Sequence, residues 1–466
     1  MPIFMKVIPY QIRQWLSTLH SDHKRIARGA AWIALFVLIG KLAGAAKEMA
    51  VAYRYGVSGI VDAYQLAFTI VIWLPSTLIS VISMVLIPTL VRLRQQDPAD
   101  RDLFLKEMHG TTLLVGCLFI LVSIFLGPQA VTYLASTLSS STQQMAQHLI
   151  LGMAPVALLS LIIGVCAARL QAREKQVNTL LESVPAAAIL SFVLLWPAGS
   201  DVAPLLWGFL LGHALQAVWL AYLARQADGQ SIKPRWSWHS PHWPEVYQAV
   251  GITAIGQYIL SFITPIDQYF AAQLGDHAIA TLSYAYRIIT LLLGLGSMAI
   301  ARATLPVLSG IAASGNLYRA RSIALKWSGL MLFVGTVVTV ISWLAAPWIV
   351  HLLFERGAFT AENTTTVATV LRWGLVQVPF SFASWVLVQL LASCGYYWII
   401  SLIATTNLLM KLLMNVLLTP ILGVSGIALA FGITSIIGLL LFFIASYFMP
   451  KLGNPTGRPK DISNRS

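Results

Sequence analysis

Nine positions in this sequence place polar or charged groups among apolar neighbours. Lys41, Lys47 and Glu48 share one apolar run, Asp62 opens the next, and Asp267, Arg287, Arg372, Lys411 and Asn415 fall in later ones. An ionisable group inside a membrane-spanning segment is expensive, so each is a functional candidate. Nothing around them resembles a catalytic set: the nine histidines do not cluster, and no H-E-x-x-H or G-x-S-x-G is present. Cys117, Cys166 and Cys394 share no metal spacing. What remains is the binding of charge. Within the runs, five bases (Lys41, Lys47, Arg287, Arg372, Lys411) face three acids (Glu48, Glu182, Asp267). An excess of bases points to an anionic cargo, and lysine and arginine hold phosphate oxygens through charge-assisted hydrogen bonds.

Helical spacing groups these residues further. Lys41 and Glu48 share a face, about 10 Å apart along the axis, and Lys47 and Arg54 share a second face. One reading is a basic ladder lining a hydrated cavity; the other is internal ion pairing with snorkelling at helix ends. Lys41, near mid-span, fits the first better, and Arg54 the second. Asp267 and Lys411 are expected to pair, with Asn415 one turn beyond Lys411 on the same face. That pair either neutralises two buried charges or sets an ammonium where a transported cation would sit.

The elements that must position these groups are read from composition. Of 466 residues, 58% are hydrophobic and 10% charged, which excludes a soluble enzyme, a disordered chain and a disulfide scaffold. Twelve runs of about 20 residues or more are long enough to span a bilayer. They cover 29–53, 63–91, 108–128, 143–168, 177–198, 203–224, 246–272, 278–309, 322–349, 364–391, 397–419 and 424–448. They are apolar all round, so they read as helices and not barrel strands.

With the N-terminus inside, 23 of the 30 Lys and Arg residues fall on cytoplasmic ends and loops, and two, Arg54 and Arg356, on the opposite side. The net charge of +13 is thus mainly an orientation signal, not a nucleic-acid footprint. Residues 1–26 read as a cytoplasmic amphipathic segment, 27–225 as an N-lobe of six helices and 226–243 as a cytoplasmic linker. Residues 244–449 form a C-lobe of six helices, and 450–466 a disordered cytoplasmic tail.

The halves repeat. Glu48 precedes Gly56 by eight residues and Asp267 precedes Gly275 by eight, both at an offset of 219, which Ile60 and Ile279 keep. Ile87-Pro88-Thr89-Leu90 matches Leu305-Pro306-Val307-Leu308 at an offset of 218. Six spans per half is an even number, so the repeats are parallel. The expected fold is an all-α polytopic membrane protein, with two parallel six-helix lobes around a central cavity.

The motifs also carry a resemblance. Gly40-Lys41-Leu42-Ala43-Gly44, Lys47-Glu48, Gly56 and Asp62-Ala63-Tyr64, with Tyr284-Ala285-Tyr286-Arg287 and Leu353 to Thr360, resemble the lipid II flippase family (MurJ/MviN). That family belongs to the superfamily of polysaccharide flippases and multidrug exporters. The resemblance runs from about residue 25 to 448. It implies functional roles for Lys41, Lys47, Asp62 and Arg287, with lysine at positions where the family has arginine. Two departures stand out. The arginine pair usual in the family's second helix falls at Pro75 and Ser76, and its Ala-Glu-Gly-Ala-Phe stretch is Ser80 to Met84 here. The family also tends to two further C-terminal helices, where twelve are read here.

Together these readings imply a transporter in the bacterial inner membrane, with both termini cytoplasmic. The expected function is the flipping of an undecaprenyl-diphosphate-linked oligosaccharide for exopolysaccharide assembly. Lipid II for peptidoglycan and a cation-coupled multidrug antiporter are the alternatives, and a non-transporting scaffold is a further rival. The substrate site would use Lys41, Lys47, Glu48, Asp62, Arg287 and Arg372, and an ion-coupling site Asp267, Lys411 and Asn415. Expected partners are the polyprenyl-diphosphate-linked saccharide, membrane lipids, a polysaccharide polymerase and export proteins, with no nucleic acid. No cofactor or metal is expected. No G-x-x-x-x-G-K-[ST] is present, so drive would come from the membrane potential or an ion gradient.

Overall fold

Apolar runs crossing lipid must satisfy their backbone hydrogen bonds internally, so each coils into a helix. The computed structural model describes residues 21–93, 98–173, 175, 177–197, 199, 201–228, 233–313 and 317–448. The first half contains α1 (Ser21–Tyr55), α2 (Gly59–Leu93), α3 (Pro98–Leu134), α4 (Ser140–Met153), α5 (Pro155–Gln171), α6 (Val177–Leu181), α7 (Val184–Leu195) and α8 (Ala203–Asp228). The second contains α9 (Trp243–Ser261), α10 (Ile263–Ala272), α11 (Ala278–Ala313), α12 (Leu317–Leu344), α13 (Ala346–Phe354), α14 (Ala361–Leu375), α15 (Gln377–Ser393), α16 (Tyr397–Leu422) and α17 (Val424–Phe448).

Every expected span falls on a helix or a broken helix. Among the described residues, ten are long and apolar enough to cross a membrane, or eleven if the bent pair α4 and α5 is one span. Helix α1 is not among those, so the expected count of twelve crossings is not established. The expected amphipathic segment 1–26 lies outside the described residues as far as residue 20, and residues 21–26 already belong to α1. The tail 450–466 lies outside them entirely.

Several expected spans are interrupted, and proline explains the sites. Pro155, Pro265 and Pro379 each follow within three residues of a break, at Ala154, Phe262 and Val376. Proline lacks an N–H and clashes with the preceding turn, so the helix restarts there. Between α4 and α5 the axis bends by 46°.

The repeat is visible in the backbone. Gly56 and Gly275 both adopt positive φ, 58° and 89°, in the turns after α1 and α10. Only glycine adopts such a φ without strain. A Cβ at Gly56 would also collide with the Ala358 carbonyl.

Contacts at both ends of the bundle join the halves. At the linker end, the Glu107 carboxylate on α3 accepts hydrogen bonds from Ser237 Oγ (2.6 Å), His239 N (2.9 Å), Ser240 N (3.1 Å) and Trp243 Nε1 (2.8 Å). The linker is thereby strapped to the N-lobe. Arg92 on α2 meets Glu245 on α9 at 2.6 Å nearby, with both side chains exposed.

At the opposite, distal end the lobes are sealed. Thr137 Oγ1 donates to Ala272 O at 2.5 Å, Ser139 N to Asp276 Oδ1 at 3.1 Å, and Gln273 Nε2 to Leu134 O at 2.9 Å. Ala358 N donates to Tyr53 O at 2.8 Å. Behind these, Tyr284 packs on Phe354 and Phe359, with ring centroids 5.0 and 5.4 Å apart, inside a core that both halves share.

Candidate functional site

On α1, Lys47 and Glu48 are adjacent in sequence and both buried. Lys47 Nζ lies 2.5 Å from Glu48 Oε1, and Arg287 Nε on α11 reaches the same oxygen at 2.9 Å. One carboxylate oxygen therefore gathers a base from each lobe. The Arg287 side chain keeps 41% of its exposure, so the guanidinium is only partly used by Glu48. Lys41, two turns earlier on α1, is half-buried against α11, its Nζ 3.1 Å from where a Cβ on Gly294 would stand. Among the described residues it has no carboxylate partner. Three bases against one acid leave this cluster at +2. The expected internal pairing is present at Glu48, which holds Lys47 and Arg287, and the excess of bases remains beside the lobe boundary.

A second cluster lies in the C-lobe. Lys411 Nζ contacts Asp267 Oδ1 at 2.9 Å and donates to Ile427 O at 2.7 Å, and it lies 5.1 Å from the centre of the Phe431 ring. Asn415 Nδ2 donates to Asp267 Oδ1 at 3.0 Å and Tyr286 OH to Asp267 Oδ2 at 3.0 Å. Asp267, Lys411 and Asn415 are all buried. The expected pair forms, and Asn415 joins it. Tyr286 and the Ile427 carbonyl were not anticipated. Tyr286 sits beside Arg287 in the motif Tyr284 to Arg287, which was its only signal.

Two expected site residues are placed elsewhere. Asp62 is fully buried and accepts backbone hydrogen bonds from His277 and from Ala280 (2.6 Å) at the start of α11. It caps a helix N-terminus across the lobe boundary, where a carboxylate is favoured by the helix dipole, and its full burial keeps it out of a cargo's reach. Arg372 Nε donates to Trp343 O at 3.2 Å, in the last turn of α12. It satisfies a C-terminal carbonyl that the helix leaves unpaired, and the cargo-binding role expected for it is not supported by that placement. Arg54 behaves similarly: rather than snorkelling, it donates to Val193 O (2.9 Å) and Trp196 O (3.0 Å) at the end of α7.

Between the lobes lies a cavity of about 510 Å³, walled by α2 on one side and by α9 and α10 on the other. Among the described residues no group of three or more His, Cys, Asp or Glu residues has metal-binding geometry.

The profile of the family described as "Lipid II flippase MurJ" matches residues 51–452. The chain belongs to the MurJ family. The matched range begins just after Glu48, so Lys41, Lys47 and Glu48 stand outside it. A probable lipid II flippase MurJ from Synechocystis is 29% identical over 392 residues, covering 76% of this chain and 69% of that protein. One from Bdellovibrio bacteriovorus is 29% identical over 241 residues, covering 51% of this chain and 45% of its own length. The match thus spans less than half of some MurJ relatives. A solved structure of lipid II flippase MurJ in an inward closed conformation superposes with a TM-score of 0.76 at 19% identity, covering 92% of this chain and 94% of that one. An inward-facing multidrug resistance MATE transporter gives 0.70 at 14% identity, covering 90% and 96%. These likenesses establish the two-lobed fold of that superfamily in a multi-pass membrane protein.

Proposed function

We propose that this chain is a flippase for a polyprenyl-diphosphate-linked saccharide, with lipid II as its cargo. The observation that carries the reading is the +2 cluster of Lys41, Lys47, Glu48 and Arg287, shared between α1 and α11. A diphosphate brings two or more negative charges, and Arg and Lys bind its oxygens directly. The family match and the relatives named as probable lipid II flippases support lipid II over an exopolysaccharide repeat unit as the cargo. A cationic drug would be repelled by the same cluster, so an antiporter for such drugs fits poorly.

Cargo would enter from the linker end, a cytoplasmic assignment supported by the bias of Lys and Arg, while the polyprenyl tail stays in lipid. The distal seal would then open as the linker end closes. An inside-negative potential favours outward movement of a net anion by about 2.3 kcal/mol per charge per 100 mV. Lys411 supplies a fixed positive charge where a coupling cation would sit between Asp267, Asn415 and Ile427 O, so transport runs without such a cation.

One observation favours a different saccharide lipid, such as an exopolysaccharide intermediate: Pro75 and Ser76 are uncharged, and the cavity wall that Ser76 joins carries no ionisable group. In that reading, a polymerase and export proteins would act downstream. Expression in a cell depleted of its own lipid II flippase separates the two. Restored growth supports lipid II; lost growth with restored polymer export supports the second reading.

A further inference from the structure

We propose that the cavity between α2 and α9–α10 binds the uncharged sugar rings of the cargo, with Trp73, Ser76 and Ser80 as the recognising side chains. This deepens the reading above and rests on it. The cavity, about 510 Å³, has the size of a small-molecule site. It is bounded by α2 of the N-lobe and by α9 and α10 of the C-lobe, so a ligand there touches both lobes.

The chemistry of the wall is specific. It carries hydroxyls, the Gln257 amide and the Trp73 indole, and none of its residues is ionisable. Ser76 Oγ donates to Trp73 O at 3.0 Å and Ser80 Oγ to Ser76 O at 3.0 Å. Thr77 Oγ1 donates to Trp73 O at 2.8 Å. Each hydroxyl commits its single proton to its own helix and keeps lone pairs as acceptors. A row of acceptors suits a ligand rich in O–H donors. It does not suit phosphate or carboxylate, which offer only acceptors. The wall therefore leaves the diphosphate to the basic cluster and takes the sugars.

Trp73 is held for this role. Its indole N–H donates to Ser261 Oγ at 2.9 Å, and its ring meets Phe262 edge-on with centroids 4.7 Å apart. Fixed at the cavity wall, the ring supplies apolar surface for the C–H face of a pyranose. Trp73 lies fourteen residues from the start of α2 and Lys41 fourteen from the end of α1. Both are therefore about 21 Å from the distal turn that joins the helices. A diphosphate at Lys41 and a sugar at Trp73 share one depth in the membrane.

The test is binding to the full chain in nanodiscs of two lipids, undecaprenyl diphosphate and the same lipid carrying a neutral disaccharide. The wild type is expected to bind the glycosylated lipid about tenfold more tightly, as two or so added hydrogen bonds imply. Ser76→Ala/Ser80→Ala and Trp73→Ala should each lose most of that increment and keep the affinity for the bare lipid. The serine pair bonds only to its own helix, so its removal leaves the fold intact. Equal binding of both lipids by the wild type overturns this proposal alone, as does an increment that survives in both variants. No binding of either lipid overturns the flippase reading with it.

Discussion

Glu48 of the N-lobe and Arg287 of the C-lobe meet at 2.9 Å, and Lys47 reaches the same carboxylate oxygen at 2.5 Å. The carboxylate thus holds two bases at the lobe boundary and competes with an anionic cargo for them. Glu48→Gln should release that competition. Undecaprenyl diphosphate is expected to bind the variant tighter by about tenfold or more, because an opposite charge a few ångströms away is removed. Flipping should slow, since the bases no longer have a partner to return to after release. Paired binding and proteoliposome flipping assays check both halves.

The Asp267–Lys411 pair is buried on both sides, and removal of one partner from such a pair costs about 3–5 kcal/mol. Lys411→Met should therefore destabilise strongly, leaving Asp267 with only Asn415 and Tyr286. Asp267→Asn/Lys411→Met should recover much of the loss. Thermal unfolding in detergent compares them. Lys411→Asn should behave differently again: a vacated pocket with Asp267, two asparagines and the Ile427 carbonyl would make stability rise with added sodium or lithium. No response to either cation would sink the idea that the ammonium stands in for one.

Asp62 tests the distal seal. Asp62→Ala removes two hydrogen bonds that cross from α2 to the start of α11. A cysteine placed at buried Ala63, with the native cysteines replaced, should then label several-fold faster with a membrane-impermeant maleimide. Acid should act in the same direction through Asp276. Burial works against that carboxylate, but hydrogen bonds from Ser139 and Thr142 outweigh it and hold its pKa below the ordinary aspartate value. Its contribution is present above the unfolded pKa and is lost as pH falls through the lower folded one. The distance between fluorophores placed on either side of the seal should lengthen as pH drops below about 4, and a flat profile would remove Asp276 from the seal.

Glu107 is the anchor of the interlobe linker, with four donors on one carboxylate. Glu107→Ala leaves those donors without their shared acceptor, a loss of about 1–3 kcal/mol. Trypsin should then cut after Arg235 markedly faster than in the wild type, with flipping reduced less than digestion is accelerated.

Much of this was legible because the membrane forces it. The spans announce themselves as apolar runs, and Asp267 and Lys411 stand out as charges that need each other. Breaks were harder to place. Pro155, Pro265 and Pro379 were visible, yet the apolar run continues past each, and hydropathy does not register a lost N–H. Asp62 and Arg372 misled for a different reason. Their partners are backbone groups of helices 215 and 29 residues away, and only the packed lobes bring them together. The Glu107 strap was missed because its ligands are main-chain and indole N–H groups, which leave no charge pattern.

The most direct test of the central claim is flipping of a fluorescent lipid II in proteoliposomes by Lys41→Glu, Arg287→Glu and the wild type. Reversing either charge takes the cluster from +2 to neutral, and transport is predicted to fall at least a hundredfold; Lys41→Glu, which breaks no ion pair among the described residues, should keep the thermal stability of the purified protein to within a few degrees. Arg287→Lys, which preserves the charge and loses the planar fork, should retain part of the rate. Full transport with both charges reversed would contradict the account.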